Sequence, residues 1–279
     1  NHFLITSSLH TSTFNLISKL VEPSTYARDS ILSLGIHDII GGIIDEICGF
    51  FIQNIQFSNF SYLYTNIHSI LIQSSYCLEA IFDNLKDIDR KTVLDFLPRL
   101  VSLLSINNTK VSYNIIQILL NIVRIFPSTV YNIFEFEDGK IKQHILRLLT
   151  GESDSLDLDV FDPIDLKEKE DLIEVTLKFL GNLCRSKPSD VSSLYLSGIC
   201  HILHGLMQSP RLITEVMWVL SNLYEVITDQ MITEITSEFI TEIINYVKNC
   251  SFNCKLETGY FFATVILFSP QSMLKSLIV

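Results

Sequence analysis

Apolar residues recur with helical spacing along most of the chain. The segment LDFLPRLVSLL, Leu94–Leu104, has apolar residues at positions i, i+3, i+4 and i+7, namely Leu97, Leu100, Val101 and Leu104. This spacing predicts a helix with one apolar face. Pro98 would lie in the first turn of that helix, where its missing N–H costs no hydrogen bond. A second apolar segment, Val111–Val123, follows a short loop, so the two segments predict a helical hairpin.

Similar hairpins recur, and the second helix of each ends in apolar residues around an asparagine. These asparagines are Asn84, Asn121, Asn182 and Asn222. They recur roughly every 40 residues once an acidic insert at 151–171, GESDSLDLDVFDPIDLKEKED, is set aside, and that period fits armadillo or HEAT units. We therefore predict an all-α fold of about six stacked repeats over residues 1–279. The insert fits a solvated disordered loop, a pseudo-ligand or a partner tether. Residues 55–65 lack clear periodicity and predict another loop.

The composition favours buried helices over a membrane segment. Hydrophobic residues make up 48% of the chain. The best apolar run, Tyr260–Phe268, is still far shorter than the roughly 20 residues that a membrane-spanning helix needs. The surplus of apolar residues therefore indicates helices that are buried on two sides. Because the chain starts without methionine or a signal-peptide pattern, we expect a fragment whose end helices expose apolar faces.

Charge and motif content exclude several classes of function. The net charge of -11 argues against a nucleic-acid-binding protein and permits a basic partner. The six cysteines are scattered and are typical of reduced thiols in a cytosolic or nuclear protein. We interpret Cys200, His201 and His204 as helix-packing residues rather than metal ligands. No hydrolase, nucleotide-binding or metalloprotease motif occurs, so we predict no catalytic residue, no metal site and no cofactor.

Trp218, the only tryptophan of the chain, lies four residues before Asn222 in EVMWVLSNLYE. Both side chains should therefore leave one helix on the same face. Taken alone, the pair fits either a buried core or a rung of a binding surface. The segments LKFLGNLCRSKP, VMWVLSNLYE and DFLPRLVSLL resemble the armadillo repeats of importin-α, the adaptor for nuclear-import signals. YARDSILSLGIHDIIGGII, at residues 26–44, is similar to the turn between repeats in that family.

The resemblance implies a right-handed superhelical solenoid of armadillo repeats whose concave groove binds extended basic peptides. In that family a tryptophan and an asparagine, four residues apart, project from each groove-lining helix. The asparagine amide hydrogen-bonds the peptide backbone, and the rings hold the aliphatic stems of lysine and arginine. Carried over residue by residue, the resemblance implies peptide contacts at Trp218, Asn222, Asn182, Lys178, Asn121, Asn84 and Tyr260.

The chain departs from the family at most of the tryptophan positions. Asn15, Ala80, Gln117, Lys178 and Tyr260 stand there instead. Ala80 and Gln117 offer no aromatic ring, so the signal site that the family builds from its earlier repeats is not implied here. Only the later-repeat site keeps a tryptophan, at Trp218.

Two functions follow from this resemblance. The first is an importin-α-like adaptor in the cytoplasm and nucleus that binds cargo proteins through basic nuclear-localisation signals. In the family, importin-β is the carrier partner, and it binds through a segment that is absent from this chain. The second is a divergent armadillo scaffold that binds other proteins, as in the importin-α-like transmembrane and coiled-coil domain protein. Neither function requires direct nucleic-acid contact or a membrane segment within residues 1–279.

Overall fold

Helices account for almost all of the chain that the computed structural model describes, which is residues 2–54, 61–83, 85–86, 89–106, 108–151, 165–231, 235–271 and 274. These ranges contain α-helices, a short 3₁₀ helix at Phe136–Gly139 and no strand. None of their helices is long and apolar enough to cross a membrane. The helices are α1 (His2–Val21), α2 (Thr25–Ser33), α3 (Ile36–Asn54), α4 (Ser61–Phe82), α5 (Arg90–Leu103), α6 (Thr109–Ile125), α7 (Thr129–Glu135), α8 (Lys140–Thr150), α9 (Leu166–Leu183), α10 (Pro188–Leu196), α11 (Ile199–Leu206), α12 (Ile213–Met231), α13 (Ser237–Val247) and α14 (Phe252–Phe268).

The chain forms two compact units. The first unit holds α1 to α6 and the start of α9, and the second holds α7, α8, the rest of α9 and α10 to α14. In the first unit, α4 contacts both α1 and α6. In the second unit, α14 packs against α12.

Neighbouring long helices run parallel within each unit. In the first unit, three side-chain pairs join Asn108 and α6 to α4 and the turn after it. They are Asn108 with His68, Asn114 with Ser75, and Asn121 with Asp83, which are 40, 39 and 38 residues apart. In the second unit, two hydrogen bonds join α9 to α12 and the turn before it. They link Glu174 with Arg211 and Gly181 with Asn222, which are 37 and 41 residues apart. A nearly constant separation along two helices requires parallel, in-register packing. The repeat period near 40 residues therefore has a direct structural counterpart.

Local sequence sets the ends of the shorter helices. The N-cap side chains of α2, α6, α13 and α14 each accept a hydrogen bond from a backbone N–H of the first turn, and they are Ser24, Asn108, Thr236 and Ser251. The turns between α2 and α3 and between α10 and α11 both contain a glycine with positive φ, Gly35 at 67° and Gly198 at 87°. Glycine adopts this conformation without steric cost, so the two turns use the same device.

The long helices α6 and α12 are buried around most of their circumference, as the composition predicts. On α6 the fully or almost fully buried residues include Ile115, Ile116, Ile118, Leu119, Leu120, Ile122 and Val123. On α12 they include Val216, Met217, Val219, Leu223 and Tyr224. Buried residues on consecutive positions cannot share one helix face, so these helices pack on more than one side.

The first and last helices expose apolar side chains, in agreement with the expectation for the ends of the chain. On α1 these are Leu9, Leu16 and Leu20, and on α14 they include Phe252, Tyr260, Ile266 and Leu267. The other face of α14 is buried through Cys254, Thr258, Phe261 and Val265. The helix α14 is therefore apolar on two faces, one of which is open to solvent in this chain.

Three local predictions are wrong in detail. Pro98 lies inside α5 rather than in its first turn, because the buried residues Val93, Phe96 and Leu97 extend the apolar face upstream of it. Residues 61–65 are helical, since α4 begins at Ser61, whereas 55–60 lie outside the described residues. Residues 166–171 of the acidic insert belong to α9, which begins at Leu166, whereas 152–164 lie outside the described residues, so the prediction for that part stays a prediction. The acidic side chains there include Glu168 and lie in the first turns of a helix, where the helix dipole favours negative charge.

A buried histidine makes the stability of the first unit sensitive to pH. His37 is 5% exposed, its ring lies edge-on to Phe82 and Phe96, and its Nδ1 has no hydrogen-bond partner among the described residues. Burial lowers the pKa of His37 below its ordinary value of 6.5; the charge of Asp38 opposes this shift, and that of Arg99 adds to it. The folded state therefore takes up a proton less readily than the unfolded state.

This lowered pKa predicts a loss of stability in mild acid. The contribution of His37 is fully present above pH 6.5 and falls as the pH drops below that value, by up to about 1.4 kcal/mol per pH unit. Urea unfolding at pH 7.5 and at lower pH measures this loss. His37→Leu should flatten the pH dependence relative to the native chain. An identical dependence in both proteins would show that other groups cause it.

Candidate functional site

The ring of Trp218 lies against the backbone of α9. A Cβ atom at Gly181 would lie 2.1 Å from Cζ3 of Trp218 and 2.6 Å from its Cε3. The ring therefore occupies the space of a missing side chain, and only glycine at position 181 allows this approach. Trp218 is partly exposed, so the remainder of the indole is open to solvent. Its Nε1–H forms no hydrogen bond within the described part of the chain.

Asn222 approaches the same glycine from one turn further along α12. Its Nδ2 donates to the carbonyl oxygen of Gly181 over 3.4 Å. Its Oδ1 accepts no hydrogen bond from any described residue, and the side chain is partly exposed. The predicted placement of Trp218 and Asn222 on one face of one helix is confirmed, because both contact Gly181. The pair presents an aromatic ring, a ring N–H donor and an amide oxygen acceptor side by side.

A network of four charged side chains lies one turn before this pair. Lys178 Nζ is 2.6 Å from Glu174 Oε1 and 3.7 Å from Glu215 Oε1. Arg211 Nη2 is 3.3 Å from Glu174 Oε2. Two carboxylates and two cations therefore balance each other across α9 and α12. Lys178 is thus engaged by acidic groups of its own chain.

Glu257 on α14 adds negative charge beside this network. Burial raises the pKa of Glu257, and the charge of Glu215 raises it further. Glu215 precedes Trp218 by three residues, and Glu257 precedes Tyr260 by three. Tyr260 is 55% exposed on α14. The helices α12 and α14, which pack against each other, therefore each carry a carboxylate one turn before an aromatic ring, and this arrangement suits a cation.

Asn182 occupies a different environment from Asn222, although their sequence patterns match. Its side chain is 5% exposed, and its Nδ2 donates to the carbonyl oxygen of Lys178 over 2.8 Å. Its amide N–H therefore serves its own helix in this structure. A direct peptide contact through Asn182 stays a prediction.

The predicted positions in the first unit are less complete. Asn121 donates weakly to Asp83 Oδ1 over 3.5 Å, and Asn84 lies outside the described residues. At the tryptophan positions, Ala80 is buried and Gln117 donates to the hydroxyl of Tyr113 over 3.1 Å. Asn15 is exposed on α1. The first unit therefore presents no tryptophan ring at these positions.

An acidic group in the first unit was missed by the sequence patterns. Tyr76 on α4 donates its hydroxyl proton to Glu22 Oε1 over 2.6 Å, and this hydrogen bond is the main cause that raises its pKa to about 12. Burial raises the pKa of Glu79, and the charges of Asp83 and Glu22 raise it further. The group joins the end of α1 to α4, so residues far apart in sequence form it.

A cavity of about 640 Å³ in the second unit is lined in part by His201 and His204. His204 Nε2 is 2.7 Å from Glu242 Oε2, and its ring lies edge-on to Phe239. The hydrogen bond from His204 is the main cause that lowers the pKa of Glu242. Within the described ranges, no three histidine, cysteine, aspartate or glutamate side chains are grouped to hold a metal ion.

Comparison with known proteins gives structural matches only. No family model matches the chain, and no curated protein matches it. An engineered protein, Northeast Structural Genomics Consortium target OR366, has a TM-score of 0.65 at 14% identity, with 91% of each chain covered. The designed armadillo repeat protein YIII(Dq)4CqI has a TM-score of 0.64 at 11% identity, over 91% of this chain and 92% of that chain. The designed armadillo repeat protein YIII(Dq.V1)4CPAF, in complex with the peptide (KR)4, has a TM-score of 0.62 at 11% identity, with 91% of each chain covered.

These similarities concern the fold. The predicted class, an all-α armadillo-repeat solenoid, is confirmed by the helical structure and by these matches. The identities are too low to transfer a function, so the chemistry of the site has to be argued from its own residues.

Proposed function

We propose that this chain is an armadillo-repeat adaptor that binds an extended basic peptide of another protein along α9, α12 and α14. The observation that carries the proposal is the seating of Trp218 on Gly181 beside Asn222. An amide oxygen and an indole N–H can hydrogen-bond a peptide backbone whatever its sequence. A ring fixed by packing loses little entropy when a ligand side chain stacks on it.

The charges around the ring favour a basic ligand. Glu215 and Glu257 lie near each other, and their mutual repulsion contributes to the raised pKa of Glu257. A lysine or arginine placed between Trp218 and Tyr260 would relieve that repulsion and gain a cation–π contact of about 0.5–2 kcal/mol. The complex of the designed armadillo protein with (KR)4 supports a basic peptide as the kind of ligand.

The cellular role that we propose is an importin-α-like one. The chain would bind basic nuclear-localisation signals of cargo proteins, in the cytoplasm and nucleus, and would meet importin-β through a segment outside residues 1–279. Asn182, Lys178, Asn121, Asn84 and Tyr260 would be further contact positions, each within its own unit.

A second candidate function is an armadillo scaffold that binds proteins without reading import signals. The absence of aromatic rings at Ala80 and Gln117 favours it, because these two positions then offer no slot for a basic side chain. The charge pairing of Lys178 favours it as well, since this residue stands where another slot would be.

Fluorescence anisotropy of a labelled basic import-signal peptide tests the proposal. The native chain should bind the peptide more weakly as salt rises. Trp218→Ala and Asn222→Ala should each weaken binding by about tenfold, through loss of the ring contact and of the backbone hydrogen bond.

Tyr131→Ala is a matched control for the loss of an aromatic ring in the same unit. Lys187 Nζ already lies over the Tyr131 ring, 5.3 Å from its centroid, so the ring is engaged within the chain. The peptide should therefore bind this variant with the affinity of the native chain. Equal affinity of Trp218→Ala and the native chain would exclude the proposed surface. Tight binding of a scrambled peptide with the same charge would favour the scaffold over a signal reader.

A further inference from the structure

Lys178 is held on two helices by acidic side chains. Its Nζ is 2.6 Å from Glu174 Oε1 on α9 and 3.7 Å from Glu215 Oε1 on α12. The side chains of Lys178, Glu174 and Glu215 are 32%, 27% and 24% exposed, so the pairing is partly shielded from water. Such pairs are screened less by salt than fully exposed ones.

The ammonium group of Lys178 stays charged in this position. Burial lowers the pKa of Lys178, but the hydrogen bond from Lys178 to Glu174 and the charges of Glu215 and Glu174 outweigh that effect, so the pKa lies above its usual value. Arg211 contacts the other oxygen of Glu174 over 3.3 Å. The two carboxylates are therefore neutralised by cations of the same chain.

The position of this pairing matters for the peptide surface. Lys178 precedes Gly181 by three residues on α9, and Glu215 precedes Trp218 by three residues on α12. The ammonium therefore lies one helical turn from the point where Trp218 meets Gly181. A peptide lysine would need the same kind of carboxylate pair beside the same ring.

We infer that the ammonium of Lys178 occupies one cation-binding subsite of the peptide surface. There it competes with lysine and arginine side chains of the peptide, and so it determines which peptides the surface binds. This inference rests on the proposed function for the place of the peptide surface, along α9, α12 and α14. The surface then accepts a peptide with a short basic cluster, whose lysine or arginine lies between Trp218 and Tyr260. A long run of basic residues gains nothing at α9, because Lys178 already occupies the carboxylates there.

The test removes the charge of Lys178 and measures peptide affinity. Lys178→Met keeps an aliphatic stem and removes the ammonium. It should bind a labelled alternating lysine–arginine octapeptide about fivefold more tightly than the native chain, because Glu215 Oε1 and Glu174 Oε1 lose their cation and become available to the peptide, while Arg211 stays on Glu174 Oε2. Lys248→Met, at the exposed end of α13, changes the net charge equally and should stay within about twofold of native affinity.

A third variant shows whether the carboxylate pair causes the gain. Adding Glu215→Gln to Lys178→Met should return the affinity to the native level or below. Far-UV circular dichroism and the urea midpoint establish that each variant is folded.

Each outcome decides the inference. Tighter binding by Lys178→Met, and not by Lys248→Met, supports the inference. If Lys178→Met binds the peptide and the native chain does not, the proposed function of the native chain fails while the inference stands. Equal gains in Lys178→Met and Lys248→Met would mean a general charge effect and would overturn it. Unchanged or weaker binding by Lys178→Met overturns it, and so does an absence of binding by both proteins.

Discussion

Arg28→Ala is expected to lower the free energy of unfolding of the first unit by about 3–5 kcal/mol. The guanidinium is 2% exposed, and its Nη1 donates to the carbonyl oxygen of Asp83 at the end of α4 over 3.1 Å. Its Nε and Nη2 donate to Asp29, and Nη2 also reaches Asp89 before α5. One buried side chain therefore joins α2, α4 and the start of α5. Its removal leaves a cavity, and it takes a donor away from the carbonyl oxygen of Asp83 and from the partly buried carboxylate of Asp89.

Urea unfolding of the variant measures this cost, with Arg124→Ala as the matched control. Arg124 is exposed near the end of α6 in the same unit, so its removal should change stability by less than about 0.5 kcal/mol. Arg28→Lys should fall between the two, because lysine keeps the charge but lacks the planar fork that serves several acceptors. Unfolding of Arg28→Ala at the native midpoint would contradict this role.

Gly181→Ala is expected to destabilise the second unit by about 1–3 kcal/mol, against the usual gain from replacing a helical glycine. The new Cβ would lie 2.1 Å from Cζ3 and 2.7 Å from Cη2 of Trp218, closer than packed atoms allow. The indole ring would have to move away from residue 181, and it would then no longer lie beside Asn222. The emission of Trp218, the only tryptophan, should move to longer wavelength, and the affinity for a basic peptide should fall.

Gly259→Ala controls for the change in helix propensity. Gly259 lies inside α14 in the same unit, and a Cβ there meets no atom within 4 Å. Its replacement should raise stability by about 0.4–1 kcal/mol, through a less flexible unfolded chain. If Gly181→Ala also raised stability and left the emission of Trp218 unchanged, the close seating of the ring would be wrong.

The fold could be predicted from the periodicity of apolar residues because every repeat buries the same kind of helix face. The spacing of apolar residues and the recurring asparagines predicted stacked helical repeats with a period near 40 residues. The structure has side-chain pairs between α4 and α6 at separations of 38 to 40 residues. The pairing of Trp218 with Asn222 on one face also followed from sequence, since it depends only on helix geometry.

Other features depend on packing that one sequence does not reveal. Asn182 and Asn222 share a local pattern, yet Asn182 is buried and bonded to its own helix, whereas Asn222 reaches the neighbouring one. The difference lies in the packing around each amide, which the local sequence pattern does not contain. The close packing of Trp218 on Gly181 and the acidic partners of Lys178 could not be predicted from the sequence, because they too depend on packing between helices. Pro98 was misplaced because tertiary burial of α5 outweighed its preference for the first helical turn.

The most direct test of the peptide surface uses the single tryptophan as its own reporter. The emission of Trp218 is followed while an unlabelled basic import-signal peptide without tryptophan is added to the native chain. We expect a saturable change in emission, with the same dissociation constant as the anisotropy of the labelled peptide. Binding detected by anisotropy with no change in Trp218 emission, or no binding by the folded chain, would contradict the claim that the peptide lies against Trp218.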